Sequence, residues 1–245
     1  MSTGRSRSAK RMGNKLMETD WVAQRIAHGS GGTSRLRTPS MRTAIWLGLA
    51  VPYVALVVAV MTLRADIEAR LFDPNYLVQQ MAALFSGIAA AFAAFASTVP
   101  GFDRRALLLP ALPFGAWIGS LGFGCLRDWL VYGPNGLAIQ PDWICFPSVV
   151  LVGAVPAIAI AFMLRRGAPL TPHLTTALGG LASVGLGDFG LRLFHTQDAS
   201  AMLLVWQMGT VFLLTALAGW FGAFLLDWQV LTDNVRGRIG VSHRQ

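Results

Sequence analysis

FPSVVLVGAVPAIAIAFML, residues Phe146–Leu164, runs nineteen positions without an Asp, Glu, Lys or Arg. A bilayer core about 30 Å thick takes about 20 apolar residues of helix to cross. Inside lipid every backbone N–H and C=O has to be satisfied by protein, and a helix does this within its own segment. A spanning strand would be about ten residues long and alternate apolar with polar. This run does neither, so it reads as a transmembrane helix.

Five further runs share this character: Thr43–Leu63, Leu77–Thr98, Ala106–Cys125, Leu174–Phe194 and Ala201–Leu226. Only the run from Leu174 contains charge, at Asp188 and Arg192. The expected fold is therefore all-α, a polytopic bundle of six transmembrane helices over 43–226, with an N-terminal tail of 1–42 and a C-terminal tail of 227–245. Composition agrees. Of 245 residues 54% are hydrophobic and 13% charged, about half the roughly 25% charge of a soluble domain. Mean hydropathy is +0.52. So much apolar surface excludes a disordered chain, and two cysteines are too few for a disulfide-built secreted scaffold.

Charge predicts orientation. With the N-terminus inside, the tails and inner loops hold sixteen Lys and Arg residues, and the opposite side holds four: Arg64, Arg70, Arg127 and Arg192. This bias favours both termini in the cytoplasm. The net charge of +8 then needs no nucleic acid, because basic residues sit beside the anionic inner leaflet. The first apolar run is too long for a signal-peptide core and is expected to stay as a span. Residues 1–16 are basic and Ser-rich, and Met17 opens METDWVAQRIA, which has helical character. Translation starting at Met17 would make the earlier stretch dispensable.

Small residues mark expected close contacts between helices: Ala83, Gly87 and Ala91 in one run, Gly115 and Gly119 in another. No motif for phosphate binding, zinc peptidase, serine hydrolase or dithiol chemistry is present. The four histidines divide between the two membrane faces and do not converge with the cysteines. The expectation is no catalytic residue, no metal site and no cofactor.

Three constellations remain. Asp188 and Arg192 are one helical turn apart and share a face. An intramembrane pair of this kind marks a structural contact, a signalling or ligand site, or a transport relay. It is expected near the outer end, with both side chains in reach of water. Cys125 and Cys145 fall on the outer side, at the end of one run and the start of the next. They read as a disulfide, as thiolate ligands for soft metal ions, or as small packed apolar residues. In the N-terminal tail, Thr19-Asp20 can cap a short helix with Val22 and Ile26 on one face and Trp21 beside them. Such a segment suits docking into a partner's groove or lying on the inner leaflet.

METDWVAQRIA ahead of SRLRTP, the stretch LFDPNYLVQQMAALFSGIAAAFAAFASTVPG, and FMLRRGAPLTPHLTTALGGLASVGLGDFGLRLFH before a Trp206-bearing sixth run together resemble the NrsF (negative regulator of sigma F) family of bacterial membrane anti-sigma factors. The likeness spans about Met17 to Trp228, and it rests on order and spacing rather than on one motif. It implies a non-enzymatic protein of the inner membrane that holds an extracytoplasmic-function sigma factor through its N-terminal segment and releases it on an envelope, metal or oxidative signal. It places Asp20, Trp21, Val22 and Ile26 in the sigma-binding segment. It implies two outward sensing cysteines, one before the fourth helix, matched by Cys145, and one directly after a histidine that ends the fifth. His195 matches the histidine, but the next residue is Thr196, which leaves Cys125 as the candidate second thiol. The competing reading is a small transporter or channel using the Asp188/Arg192 pair. Carriers, however, spread polar residues over several helices near the midplane, and the other five runs offer almost none.

Overall fold

A computed structural model describes residues 37–99, 101–134, 145–167, 171–195 and 203–221. The chain divides into two compact units, Met1–Arg37 and Thr38–Gln245. Arg37 alone of the first lies among the described residues, so the fold is that of the second. The expected sigma-binding residues Asp20, Trp21, Val22 and Ile26 lie outside the described residues.

Every regular element among the described residues is helical. These are α1 (Pro39–Met61), the short α2 (Ile67–Leu71), α3 (Pro74–Ala96), a 3-10 turn (Arg104–Leu108), α4 (Ala111–Tyr132), α5 (Cys145–Arg165) and α6 (Pro172–Leu191). The last span, α7 (Leu204–Phe221), begins in a π-helical turn. Six helices are long and apolar enough to cross a membrane, as the charge-free runs require.

Three spans start on a polar residue followed by proline: Thr38-Pro39, Asp73-Pro74 and Thr171-Pro172. Proline suits the first helical position because its missing N–H would have no partner there. Thr38 Oγ1 accepts from Met41 N and Asp73 Oδ1 from Asn75 N, and each so caps an unpaired donor. These caps move two expected boundaries. The tail ends before Pro39 rather than at 42, so Arg42 belongs to the bundle. The third span differs most. It was expected to stop at Cys125, where the charge-free run ends, but α4 continues to Tyr132 through Arg127 and Asp128, and Cys125 lies two turns inside it.

The core is built around α6. Of its most apolar window 72% is buried, against 22% for the α4 span, so α6 is sheathed by protein and α4 faces outward. Glycine makes this possible. A Cβ on Gly87 would stand 3.0 Å from the Ala182 carbonyl oxygen, and one on Gly185 3.1 Å from the Ala83 oxygen. The α3 and α6 backbones therefore touch, as the small-residue spacing on α3 predicts. Gly115 and Gly119 behave differently: nothing lies within 4 Å of a Cβ on either. α4 buries Trp117, Leu121 and Gly124 instead, which are spaced along another face of the helix. The α1 helix is strapped to α5 near the prolines of both, with Trp46 Nε1 donating to the Pro156 carbonyl at 2.9 Å and Tyr53 Oη to the Leu151 carbonyl at 2.8 Å.

Candidate functional site

The intramembrane charge pair lies at the end of α6. The first turns of α3 bring Tyr76, Gln79 and Gln80 against it, at the i, i+3, i+4 spacing that puts them on one helix face. All five side chains are buried, with Asp188 at 0% and Arg192 at 4% exposure. This corrects the expectation that the pair reaches water: α3 covers it.

A helix end leaves its last carbonyls without intrahelical partners, and in a membrane each is costly if unmet. Here neighbours supply the donors. Gln80 Nε2 donates to the Phe189 carbonyl at 3.2 Å and Tyr76 Oη to the Arg192 carbonyl at 3.1 Å. Arg64 N donates to the Leu193 carbonyl at 3.1 Å, and Arg64 Nη1 to that of His195 at 3.2 Å. The remaining carbonyls from Asp188 to Leu191 are met by the turn that follows. Arg192 Nη1 donates to Gln79 Oε1 at 2.6 Å, and its guanidinium carbon stands 4.9 Å from the Tyr76 ring centre, a cation–π arrangement. Both Asp188 carboxylate oxygens are buried and accept no hydrogen bond among the described residues.

Arg64 holds this end together from the loop after α1. It grips Asp66 with two bonds, Nε to Oδ1 at 2.6 Å and Nη2 to Oδ2 at 2.8 Å, the strong bidentate form. Arg70 reaches the same carboxylate at 3.3 Å. The Arg64 guanidinium holds the Asp66 carboxyl well below the usual carboxylate range.

At the opposite end Arg42 is buried in the first turns of α1. Its Nη1 donates to Thr98 Oγ1 at 2.7 Å, its Nη2 to the Met163 carbonyl, and its guanidinium carbon lies 4.5 Å from the Phe95 ring centre. Thr98 passes the bond on to the Phe95 carbonyl at 2.7 Å. One side chain thus ties the start of α1 to the ends of α3 and α5.

Of the expected sensing residues, Cys125 is a half-buried free thiol inside α4. Cys145 opens α5, and its side chain lies outside the described ones. His195 follows the end of α6, half-buried, with its N–H donating to the Leu191 carbonyl at 2.9 Å. Among the described residues no three His, Cys, Asp or Glu side chains are placed to hold a metal ion. Sequence reading missed Arg42, Arg64, Tyr76, Gln79 and Gln80. The available signal was the Gln79-Gln80 pair inside an otherwise apolar run, because a polar residue in a span usually has a partner there.

Six long apolar helices, one of them sheathed by its neighbours and capped within the bundle, define the class: a multi-pass helical membrane protein. Residues 26–228 match the model of the NrsF family, described as negative regulator of sigma F, and the chain belongs to that family. The match takes in all six spans and Ile26, and begins after Asp20, Trp21 and Val22. No curated protein and no solved structure matches the chain.

Proposed function

We propose that this protein is a membrane anti-sigma factor that holds an extracytoplasmic-function sigma factor at the inner membrane through the segment ahead of α1, and frees it on an envelope, metal or oxidative signal. The family match over 26–228 carries this reading. The excess of Lys and Arg on the tail side supports a cytoplasmic tail and C-terminus, where a sigma factor is available. Asp20, Trp21, Val22 and Ile26 are the residues proposed to meet it, as a short helix that orders on binding.

The bundle offers a route for the signal. α1 runs from the Arg64 clamp, beside the Asp188/Arg192 cluster, to the Arg42 anchor beside the tail. A change at the outer end, through Cys125, Cys145 or His195, that alters how Arg64 holds the exit of α6 would shift α1 and so the tail. The demand is modest, since a tenfold change in sigma affinity needs only about 1.4 kcal/mol of difference between two bundle arrangements.

Co-expression tests the proposal. The full chain should lower transcription from a promoter of its sigma factor about tenfold or more, as a Kd well below the sigma concentration implies. Deleting residues 17–36, which spares the Thr38 cap and Arg42, should restore transcription. Equal repression by both forms would refute tail binding.

A further inference from the structure

Where α5, α6 and α7 meet, Ala157, Gly180 and Ala218 are small. Gly180 of α6 and Ala218 of α7 approach so closely that a Cβ on Gly180 would stand 2.7 Å from that of Ala218. A furrow stays open beside this junction. Two apolar cavities of about 190 and 160 Å³ lie along this furrow and share Ala157, Gly180 and Ala218. Ala157 and Ala161 on its α5 wall are exposed, so the furrow opens on the surface that meets the bilayer. Apolar cavities of this size stay dry, and the apolar molecule at hand inside a membrane is lipid.

The furrow also has a charged mouth. Arg165, at the end of α5, lines the larger cavity, and its guanidinium carbon stands 5.6 Å from the Phe162 ring centre. Arg166 follows, exposed. Neither is ion-paired among the described residues. From Arg165 back to Gly153, which lines the inner cavity, is a rise of roughly 18 Å at 1.5 Å per residue. The hydrocarbon of one leaflet is roughly 15 Å deep, half of a core of about 30 Å. A chain that begins at the level of Arg165 therefore ends within the furrow, which continues past Gly153 to Val149.

We propose that this furrow binds one acyl chain of an anionic phospholipid, with the lipid phosphate held by Arg165 and Arg166. Guanidinium groups suit phosphate in charge and in hydrogen-bond geometry, and a zwitterionic headgroup would carry its own compensating cation to the same place. The site stands whether or not the tail binds a sigma factor.

Native mass spectrometry of the full-length protein in mild detergent tests it, with phosphatidylglycerol and phosphatidylcholine of matched chains added separately. The wild type should retain one phosphatidylglycerol per chain, about tenfold more readily than phosphatidylcholine. Arg165→Gln with Arg166→Gln should bring the two lipids level. Ala157→Phe, which fills the junction of the two cavities, should reduce retention of both. Ala161→Phe, one turn along the same exposed wall, provides the same block should Ala157→Phe not fold, as judged by gel filtration. Equal retention of the two lipids by the wild type would overturn the proposal. So would unchanged retention in the folded filling variant, or a dimer that the filling variant dissolves without any change in lipid, since a second copy would then be the occupant.

Discussion

Arg42 and Arg192 are buried arginines at opposite ends of one bundle, and their surroundings differ. Among the described residues Arg42 meets neutral acceptors only, Thr98 Oγ1 and the Met163 carbonyl, with the Phe95 ring beneath it. Arg192 has Gln79 and the Tyr76 ring, but it shares its helix face with Asp188, whose buried oxygens accept no hydrogen bond among the described residues. A buried carboxyl whose oxygens accept no hydrogen bond is a cost the fold carries, and it is carried at the Asp188 end. The Arg42 end is a finished joint at the start of α1. The Asp188 end is held against a standing penalty.

Replacing each partner in turn measures the contrast. Arg192→Leu leaves Asp188 buried with no countercharge and should have the largest effect, about 3–5 kcal/mol, seen as lost folded protein on fluorescence-detected gel filtration. Arg42→Leu removes charge-assisted bonds and leaves the Met163 carbonyl without that donor. It should cost about 1.5–3 kcal/mol, read as a lower melting temperature in detergent. Asp188→Asn removes the acid while Arg192 keeps Gln79 and Tyr76, so its cost should stay near 1 kcal/mol. A loss equal to that of Arg192→Leu would mean that the pair works as a unit and that the asymmetry is not real.

The smallest effect belongs to Asp66, at the surface of the same end. Its carboxyl is held below the ordinary range by Arg64. The stability it adds is present in full above the unfolded value of about 3.9 and is lost as pH falls below that through the folded value. Melting curves of wild type and Asp66→Asn should therefore differ at pH 7 and converge as the pH drops under about 4. A constant gap across that range would show that the clamp does not act through charge.

The fold was legible because lipid imposes one rule, long apolar runs with little or no charge, and each of the six helices contains one. The boundaries were less so. Hydropathy stops at Arg127, but helical hydrogen bonding does not, and α4 carries on to Tyr132. The Thr38-Pro39 and Asp73-Pro74 signals were present and mark the true starts better than the first apolar residue does. The charge pair was visible from its i, i+4 spacing. Its burial was not, because the cover comes from Gln79, 113 residues away along the chain from Arg192, and no local pattern reports that distance. The same holds for Arg42, which reads as one more basic tail residue until Met163, 121 residues on, is found against it. The tail residues Asp20, Trp21, Val22 and Ile26 rest on the family likeness and on composition.

The central claim is that the segment ahead of α1 grips a sigma factor while the bundle holds it to the membrane. Co-purification measures this directly: express an extracytoplasmic-function sigma factor of the same cell with tagged full-length protein, and with a form lacking residues 17–36, then recover both in mild detergent. The account predicts stoichiometric sigma with the full chain and none above background with the shortened one, both forms eluting as folded protein. Equal recovery of sigma with the two would contradict it.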